Sequence, residues 1–170
     1  METKEEYLHV PYGKTVHGEE EIEAVVNVLR TSTQMGKHVR EMEQKVAELF
    51  AKKHGIMLNS GSSANYMAIE LLKLEKGDEV ITPALTFATT VAPLLKFGLK
   101  PAFVDVEPGT YNIDVKKIEE LITSKTRAMM IPNLLGNIPD WDMIKELADT
   151  HNLLLIEDSA DTLGGTLRGK

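Results

Sequence analysis

From Gly55 onward the chain alternates short apolar runs with longer helix-like segments, and this alternation constrains the fold more than any other feature. The apolar runs are IMLN, EVIT, PAFVDV, AMMIP and LLLIED, each bounded by residues typical of turns. Four of these five runs carry apolar side chains on both faces, as central strands of a parallel sheet do. The pattern predicts a three-layer α/β fold: a mostly parallel, five-stranded sheet with helices on both faces.

Helices are predicted both before and between these strands. Acidic residues follow Gly18 and Arg30 closes the segment 19–30, an arrangement that suits the helix macrodipole. Apolar residues at helical spacing predict an amphipathic helix over 39–53. Further helices are predicted after SGSSAN, over TFATTVAPLLKFG, near Asp114 to Ile122 and near Asp140 to His151. The chain then divides into an N-terminal segment with one helix, 1–38, and a sheet-containing part, 39–170.

Composition excludes several classes of function. The chain has 26 Asp and Glu against 19 Lys and Arg and no basic run, so neither nucleic acid nor a membrane surface is an expected partner. It contains no cysteine, and its five histidines lack metal-ligand spacing, so no metal site is expected. The N-terminus METKEEYLHV has no apolar core of signal-peptide length. We therefore expect a cytoplasmic protein, as is typical of chains without cysteine.

The first candidate site is the segment Asn59–Asn65, between an apolar run and a long helical stretch. Gly61 permits a tight turn, Ser62 and Ser63 supply hydroxyls, and the N–H groups of the following helix would point outward. Such an arrangement suits a phosphate group. The alternative is simple N-capping, because serine commonly precedes a helix.

The second and third candidates also follow predicted strands, where open α/β sheets bind ligands. Phe87, after EVIT, could stack on a flat ligand, although most phenylalanines are packing residues. Asp158 and Asp161 follow LLLI, and a carboxylate at the end of a buried strand needs a cationic or hydrogen-bonding partner. A protonated pyridine ring, as in pyridoxal phosphate, would provide one. The alternative is that both aspartates cap the next helix in solvent.

Order and spacing join these signals: a phosphate site, an aromatic residue about 25 positions later and an aspartate after a late strand suit a phosphorylated aromatic ring. With these features the chain resembles the DegT/DnrJ/EryC1/StrS family of pyridoxal-phosphate enzymes of fold type I, which act on nucleotide-linked sugars. The resemblance runs from Gly36 to the last residue. Its motifs are MGKHVREMEQKVAELF, NSGSSAN, GDEVITPALTFATTVAPLLKFG, PAFVDVEPGTYNID, LLGN and LLLIEDSADTLGGTLRGK.

The resemblance implies a role for each candidate residue. Ser62 and Ser63, beside Gly61, would bind the cofactor phosphate, and Phe87 would stack on the ring. Asp158 would pair with the pyridine nitrogen, and Asp161 would lie near the ring hydroxyl. Residues 39–170 would then be the N-terminal half of the large cofactor-binding domain, and the Schiff-base lysine or histidine would lie beyond Lys170. These 170 residues alone are therefore expected to show no turnover.

The resemblance also implies a reaction. Most aminotransferases of the family carry Gln or His at the position of Asp161, and aspartate there resembles the branch of keto-deoxysugar 3-dehydratases. The expected substrate is a nucleotide-linked 4-keto-6-deoxyhexose, used for lipopolysaccharide or antibiotic sugars, with pyridoxal or pyridoxamine phosphate as cofactor. Two alternatives stay open: a sugar aminotransferase, and a shortened, non-catalytic binding module. Relatives place their active site at a dimer interface, so a homodimer is expected. Asn133 departs from the family, whose members commonly have histidine just before the LLG-like turn.

Overall fold

The computed structural model describes residues 8, 9, 11, 13–34 and 36–169. The expectation that the extreme N-terminus carries no signal peptide falls largely on residues outside this range. The chain divides into two compact units, one ending at Gly55 and the other beginning at Ile56.

Two helices make up the first unit. Helix α1 spans Glu19–Thr31 and α2 spans Lys37–Leu49, which confirms both predicted helices, the second with earlier bounds than expected. At Gly55 a Cβ atom would clash with the backbone carbonyl of Glu43. Only glycine therefore allows the chain to pass this close to α2.

The second unit is built on a parallel sheet. Its strands are β1 (Glu79–Pro83), β2 (Lys100–Val104), β3 (Thr126–Pro132) and β4 (Leu154–Asp158), in the order β2-β1-β3-β4. All three pairings are parallel, which confirms the predicted sheet type. The strand predicted at IMLN is wrong: these residues are not part of the sheet, and Ile56 and Met57 are exposed. A short apolar run identifies a strand only where a neighbouring strand pairs with it.

Helices cover both faces of the sheet, as predicted. Val80, Ala128 and Met130 point towards α3 (Gly61–Leu71) and α4 (Ala88–Lys96), where they pack with Ile69 and Leu94. The alternate residues Ile81, Met129 and Ile131 point to the other face, where they pack with Ile144 and Ala148 of α5 (Trp141–His151). Each of these strand residues is fully buried. Burial on both faces explains why the strands read as continuous apolar runs.

The helix predicted near Asp114 to Ile122 is confirmed only in part. The segment forms two short 3₁₀ helices, Val115–Lys117 and Glu119–Leu121, instead of one continuous helix. Val115 and Ile118 lie three positions apart and are both buried. A three-residue spacing suits the three residues per turn of a 3₁₀ helix better than the α-helical period.

The strand order sets where a ligand can bind. From β1 the chain moves outward to β2 and then returns to the other side of β1 to form β3. The order therefore reverses between β1 and β3, and their carboxyl ends border the crevice where open α/β sheets bind ligands. Within the described residues, no helix has the length and apolar character needed to cross a bilayer.

Candidate functional site

The carboxyl edge of the sheet brings together segments that are far apart in sequence. The loop after β1, the turn after β3 and the last residue of β4 all lie at this edge, because the strands are parallel. Hydrogen bonds from α3 and α4 also reach Asp158, the last residue of β4. The predicted candidate residues therefore lie on elements that meet at this edge.

Helix α3 begins with the predicted phosphate site. Ser60 has an extended backbone (φ −164°, ψ 159°), and its side chain accepts a hydrogen bond from the Ser63 N–H at 3.2 Å. The Ser60 hydroxyl also donates to Ser63 Oγ at 3.1 Å. Ser60 is therefore the N-cap, while the first-turn N–H groups of Gly61 and Ser62 have no acceptor within the helix. These two groups and the Ser62 hydroxyl are placed to bind an anion.

Phe87 is the N-cap residue of α4, and 64% of it is exposed. The alternative, that Phe87 is a packing residue of the core, is therefore wrong. An exposed aromatic ring at the carboxyl end of β1 can stack on a flat ligand.

Asp158 is held by donors from two helices. Its Oδ2 atom accepts from Asn65 Nδ2 at 2.9 Å and from Thr90 Oγ1 at 3.3 Å, while Oδ1 accepts from the Ala160 N–H at 3.3 Å. The residue is half-buried, and among the described residues no Lys, Arg or His forms an ion pair with it. No described helix follows it, so the helix-cap alternative does not apply to Asp158. A half-buried carboxylate without a cation suits a cationic ligand group.

Asp161 is exposed and fixes a different segment. Its Oδ2 atom accepts from the Leu135 N–H at 3.0 Å. Leu135 lies in the 3₁₀ turn Leu134–Gly136 and has a left-handed backbone (φ 56°), which an additional hydrogen bond helps to maintain. Asp161 thus joins the segment after β4 to the turn after β3.

Asn133 is a buried residue that connects the turn after β3 to the segment after β4. It is 3% exposed, and its Nδ2 atom lies within hydrogen-bond distance of Glu157 Oε1 (2.8 Å), Ser159 Oγ (3.1 Å) and Thr162 Oγ1 (3.1 Å). Its Oδ1 atom accepts from Trp141 Nε1 at 2.8 Å. Trp141, the first residue of α5, packs against the core. Asn133 thus secures the segment that carries Asp158.

An exposed ion-pair group connects the last described residues to α5. Arg168 bonds to Asp140, the N-cap of α5, at 3.0 Å and also contacts Asp142. The Arg168 hydrogen bond, supported by the Met143 N–H, lowers the pKa of the Asp140 carboxyl below its ordinary value of 3.8. Within the described residues, no group of three or more His, Cys, Asp or Glu is arranged to hold a metal ion.

The sequence assigned no role to Asn65, although it ends the first candidate segment, or to Thr90. Both are buried polar residues on apolar helix faces: Asn65 precedes buried Ile69 by four positions, and Thr90 precedes buried Leu94 by four. A polar residue in the apolar stripe of a helix was the available signal, because buried polar groups require partners.

Fold and site together define a class of protein. Its members have an open parallel α/β sheet whose carboxyl edge offers an anion site, an exposed aromatic ring and a half-buried carboxylate. The chain belongs to the DegT/DnrJ/EryC1/StrS aminotransferase family, whose model matches residues 15–170. This confirms the resemblance read from the motifs.

Individual relatives support the assignment. The chain is 36% identical, over 96% of its length, to GDP-4-keto-6-deoxy-D-mannose 3-dehydratase of Yersinia pseudotuberculosis. It is 41% identical, over 80% of its length, to GDP-perosamine synthase of Caulobacter vibrioides. The chain spans 43% of the first relative and 37% of the second.

A solved structure shows the same fold. The chain superposes on Escherichia coli GDP-4-keto-6-deoxy-D-mannose-3-dehydratase, solved with bound hydrated PLP, with a TM-score of 0.88 and 34% identity. The match covers 95% of this chain and 43% of the solved one. The fold is therefore that of this part of the pyridoxal-phosphate enzymes of the aminotransferase fold, as predicted.

Proposed function

We propose that this chain forms part of an enzyme that uses pyridoxal or pyridoxamine phosphate to process a nucleotide-linked 4-keto-6-deoxyhexose, most closely as a 3-dehydratase. The observation that carries the proposal is Asp158: a half-buried carboxylate, fixed by two helices, without a cationic partner among the described residues. Family membership supplies the class of cofactor that would provide the cation.

The residues present fit that cofactor. Ser62 lies three positions before Asn65, a rise of about 4.5 Å along α3, so the anion site lies within one helical turn of the Asn65 amide that donates to Asp158. In this proposal one phosphorylated ring spans the anion site and the carboxylate. In this proposal the N–H groups of Gly61 and Ser62 and the hydroxyls of Ser62 and Ser63 bind the phosphate, and Phe87 stacks on the ring.

The chain's own residues would bind, orient and protect the ring. Asp158 accepts the ring N–H and keeps the nitrogen protonated, because an adjacent carboxylate favours the cationic form. Phe87 covers one face and excludes water from it. Asp161, fixed by the Leu135 N–H, lies at the same edge and is proposed to sit near the ring hydroxyl. When bound, the cofactor supplies an electron sink that stabilises a carbanion in the substrate.

The substrate assignment rests on the relatives. A 3-dehydratase of GDP-4-keto-6-deoxy-D-mannose matches almost the whole chain, so this sugar nucleotide is the first substrate to test. The main alternative is a sugar aminotransferase, favoured by the similarity to GDP-perosamine synthase. The residue at the Schiff-base position separates them, since histidine favours dehydration and lysine favours amine transfer. A non-catalytic binding module is the remaining alternative. A homodimer and a cytoplasmic location are also part of the proposal.

The test uses the full-length protein supplied with pyridoxamine phosphate, glutamate and the GDP-linked keto sugar. Mass spectrometry of the product distinguishes the three functions. A 3-dehydratase removes the oxygen at carbon 3, an aminotransferase replaces the ketone oxygen with an amine, and a binding module changes nothing. We expect loss of the carbon-3 oxygen. Unchanged sugar, with no spectral sign of cofactor uptake, would contradict the proposal.

A further inference from the structure

The Asn65 side chain is a buried amide whose two hydrogens both have acceptors. It is 9% exposed, and Nδ2 donates to the Thr89 carbonyl at 3.3 Å and to Asp158 Oδ2 at 2.9 Å. Because both donors are used, the amide has a single favourable orientation. The hydrogen bond to the Thr89 carbonyl therefore fixes the direction in which Asn65 donates to Asp158.

The Thr89 carbonyl is available because of a proline one turn later. Pro93 lies inside α4 and has no N–H, so the carbonyl four residues before it, that of Thr89, lacks its usual intrahelical donor. A carbonyl that is partly shielded from water and lacks a donor is costly, and Asn65 supplies the missing hydrogen. Pro93 thus leaves the Thr89 carbonyl without a helical donor, and Asn65 satisfies it.

Thr90 supplies the second donor to Asp158. It is fully buried, and its Oγ1 atom accepts from Thr86 Oγ1 at 2.9 Å. Because Thr86 donates to that oxygen, the single hydroxyl hydrogen of Thr90 is available for Asp158 Oδ2. Thr86 precedes Phe87 in the chain. The segment that carries the exposed Phe87 ring is therefore connected, through Thr86 and Thr90, to the Asp158 carboxylate.

The two carboxylate oxygens of Asp158 differ in the number of hydrogen-bond donors that reach them. Oδ2 receives two donors, which matches the two lone pairs of a carboxylate oxygen. Among the residues that the structure describes, the one donor to Oδ1 is the Ala160 N–H, at 3.3 Å. Oδ1 therefore retains an acceptor position for a ligand.

We propose that Asn65, Thr90 and Pro93 are positioning residues that fix Asp158 through Oδ2 and present Oδ1 to the ring nitrogen of the cofactor. The inference rests on the proposed function and adds residues that would not touch the cofactor. Removing either donor lets the carboxylate rotate away from the ring, so the ring nitrogen loses its proton at a lower pH. Thr90→Ser, which removes a methyl group and retains the hydroxyl, separates this effect from a change in packing.

The test is a titration of the full-length protein with pyridoxamine phosphate labelled with ¹⁵N in the ring. Asn65→Leu and Thr90→Val each remove a donor and keep the number and branching of the side-chain heavy atoms, and Thr90→Ser retains the hydroxyl. We expect the first two to raise the Kd about 10-fold, as loss of a hydrogen bond to a charged group does. We also expect the ring-nitrogen pKa to fall by about one unit or more, with Thr90→Ser close to the unmodified protein.

Pro93→Ala provides an independent test without touching either donor. It restores an N–H that competes for the Thr89 carbonyl, so we expect a smaller fall in the ring-nitrogen pKa although α4 gains a hydrogen bond. Asn112→Ala, at a buried asparagine outside the site, is the matched control and should leave that pKa unchanged.

Each outcome decides between the two claims. If the unmodified protein takes up no cofactor, the proposed function fails and this inference fails with it. If it takes up the cofactor and Asn65→Leu, Thr90→Val and Pro93→Ala all keep the original ring-nitrogen pKa, only the positioning role is overturned. Should Asn65→Leu not fold, Thr90→Val and Pro93→Ala decide the question.

Discussion

Phe87 is the candidate site residue whose role can be separated most easily from folding, because 64% of it is exposed. Truncating it removes little buried surface. We expect Phe87→Ala to leave the melting temperature nearly unchanged and to weaken cofactor binding about 2- to 10-fold, the range that one aromatic contact supports. Leu85→Ala, in the same loop and 46% exposed, is the control and should not change the affinity. Equal affinities for Phe87→Ala and the unmodified protein would exclude a stacking role.

The sequence indicated candidate site residues, but it did not indicate which residues hold them in place. Asp158 was recognisable because a carboxylate after a buried strand requires a partner. Asn65 and Thr90 lie 93 and 68 positions before it, and no local pattern connects residues so far apart. Only the parallel sheet brings them together. Within the motif SGSSAN, the asparagine therefore had no assigned role until α3 and β4 were placed.

Three elements are joined through a single side chain, that of Asn133. It connects the end of β3 to the segment after β4 and to Trp141 at the start of α5. We expect Asn133→Ala to lower the free energy of unfolding by about 2 to 3 kcal/mol, because the Trp141 N–H loses its acceptor in a buried site. Urea denaturation measures this change.

Asn137→Ala is the matched control for that measurement. Asn137 is exposed and makes one side-chain hydrogen bond, to the Thr110 carbonyl at 2.8 Å. Its loss should cost about 1 kcal/mol or less. Similar losses for both variants would mean that Asn133 does not stabilise the junction.

Helix α5 also provides a prediction about pH. The Arg168 hydrogen bond lowers the pKa of Asp140 below 3.8, so the ionised carboxylate favours the folded arrangement at higher pH. That contribution is complete above the unfolded pKa and is lost as the pH falls through the lower, folded value. In Arg168→Gln we expect the pKa of Asp140, measured by carboxyl NMR, to rise towards 3.8. It should remain somewhat below that value because the Met143 N–H is still present; an unchanged pKa would rule out the ion pair.

The buried elements were predicted correctly, and two short segments were not. The apolar runs of β1 to β4 and the apolar stripe of α2 follow from burial, and the structure contains all five elements. The run at 56–59 is as short as the run of β1, but it has no neighbouring strand to pair with, and short apolar runs fit more than one backbone conformation. The segment after Asp114 forms short 3₁₀ turns. Their conformation depends on neighbours that the local sequence does not specify.

At the scale of the whole molecule, apolar side chains remain exposed along the carboxyl edge of the sheet. Leu85 and Phe87 follow β1, Leu135 follows β3 and Leu163 follows β4, and each is at least 46% exposed. Exposed apolar surface of this kind marks interaction sites. The proposed homodimer would cover this edge.

Self-association should therefore depend on that edge. In sedimentation velocity experiments on the full-length protein, we expect the double change Leu135→Asp and Leu163→Asp to shift a dimer towards monomer, because it would place charges in an apolar contact. Leu71→Asp is the control, since Leu71 is 61% exposed at the opposite end of α3. A dimer that persists in the double variant would place the interface elsewhere.

The central claim is that the Asp158 carboxylate holds the ring nitrogen of a vitamin B6 cofactor, and a comparison of cofactor affinities tests it most directly. Asp158→Asn preserves the size of the side chain and removes its charge. Asp105→Asn does the same at an exposed carboxylate paired with Lys117. In spectroscopic titrations of the full-length protein with pyridoxamine phosphate, we predict a Kd about 10- to 100-fold higher for Asp158→Asn and unchanged for Asp105→Asn. An unchanged Kd for Asp158→Asn would contradict the account.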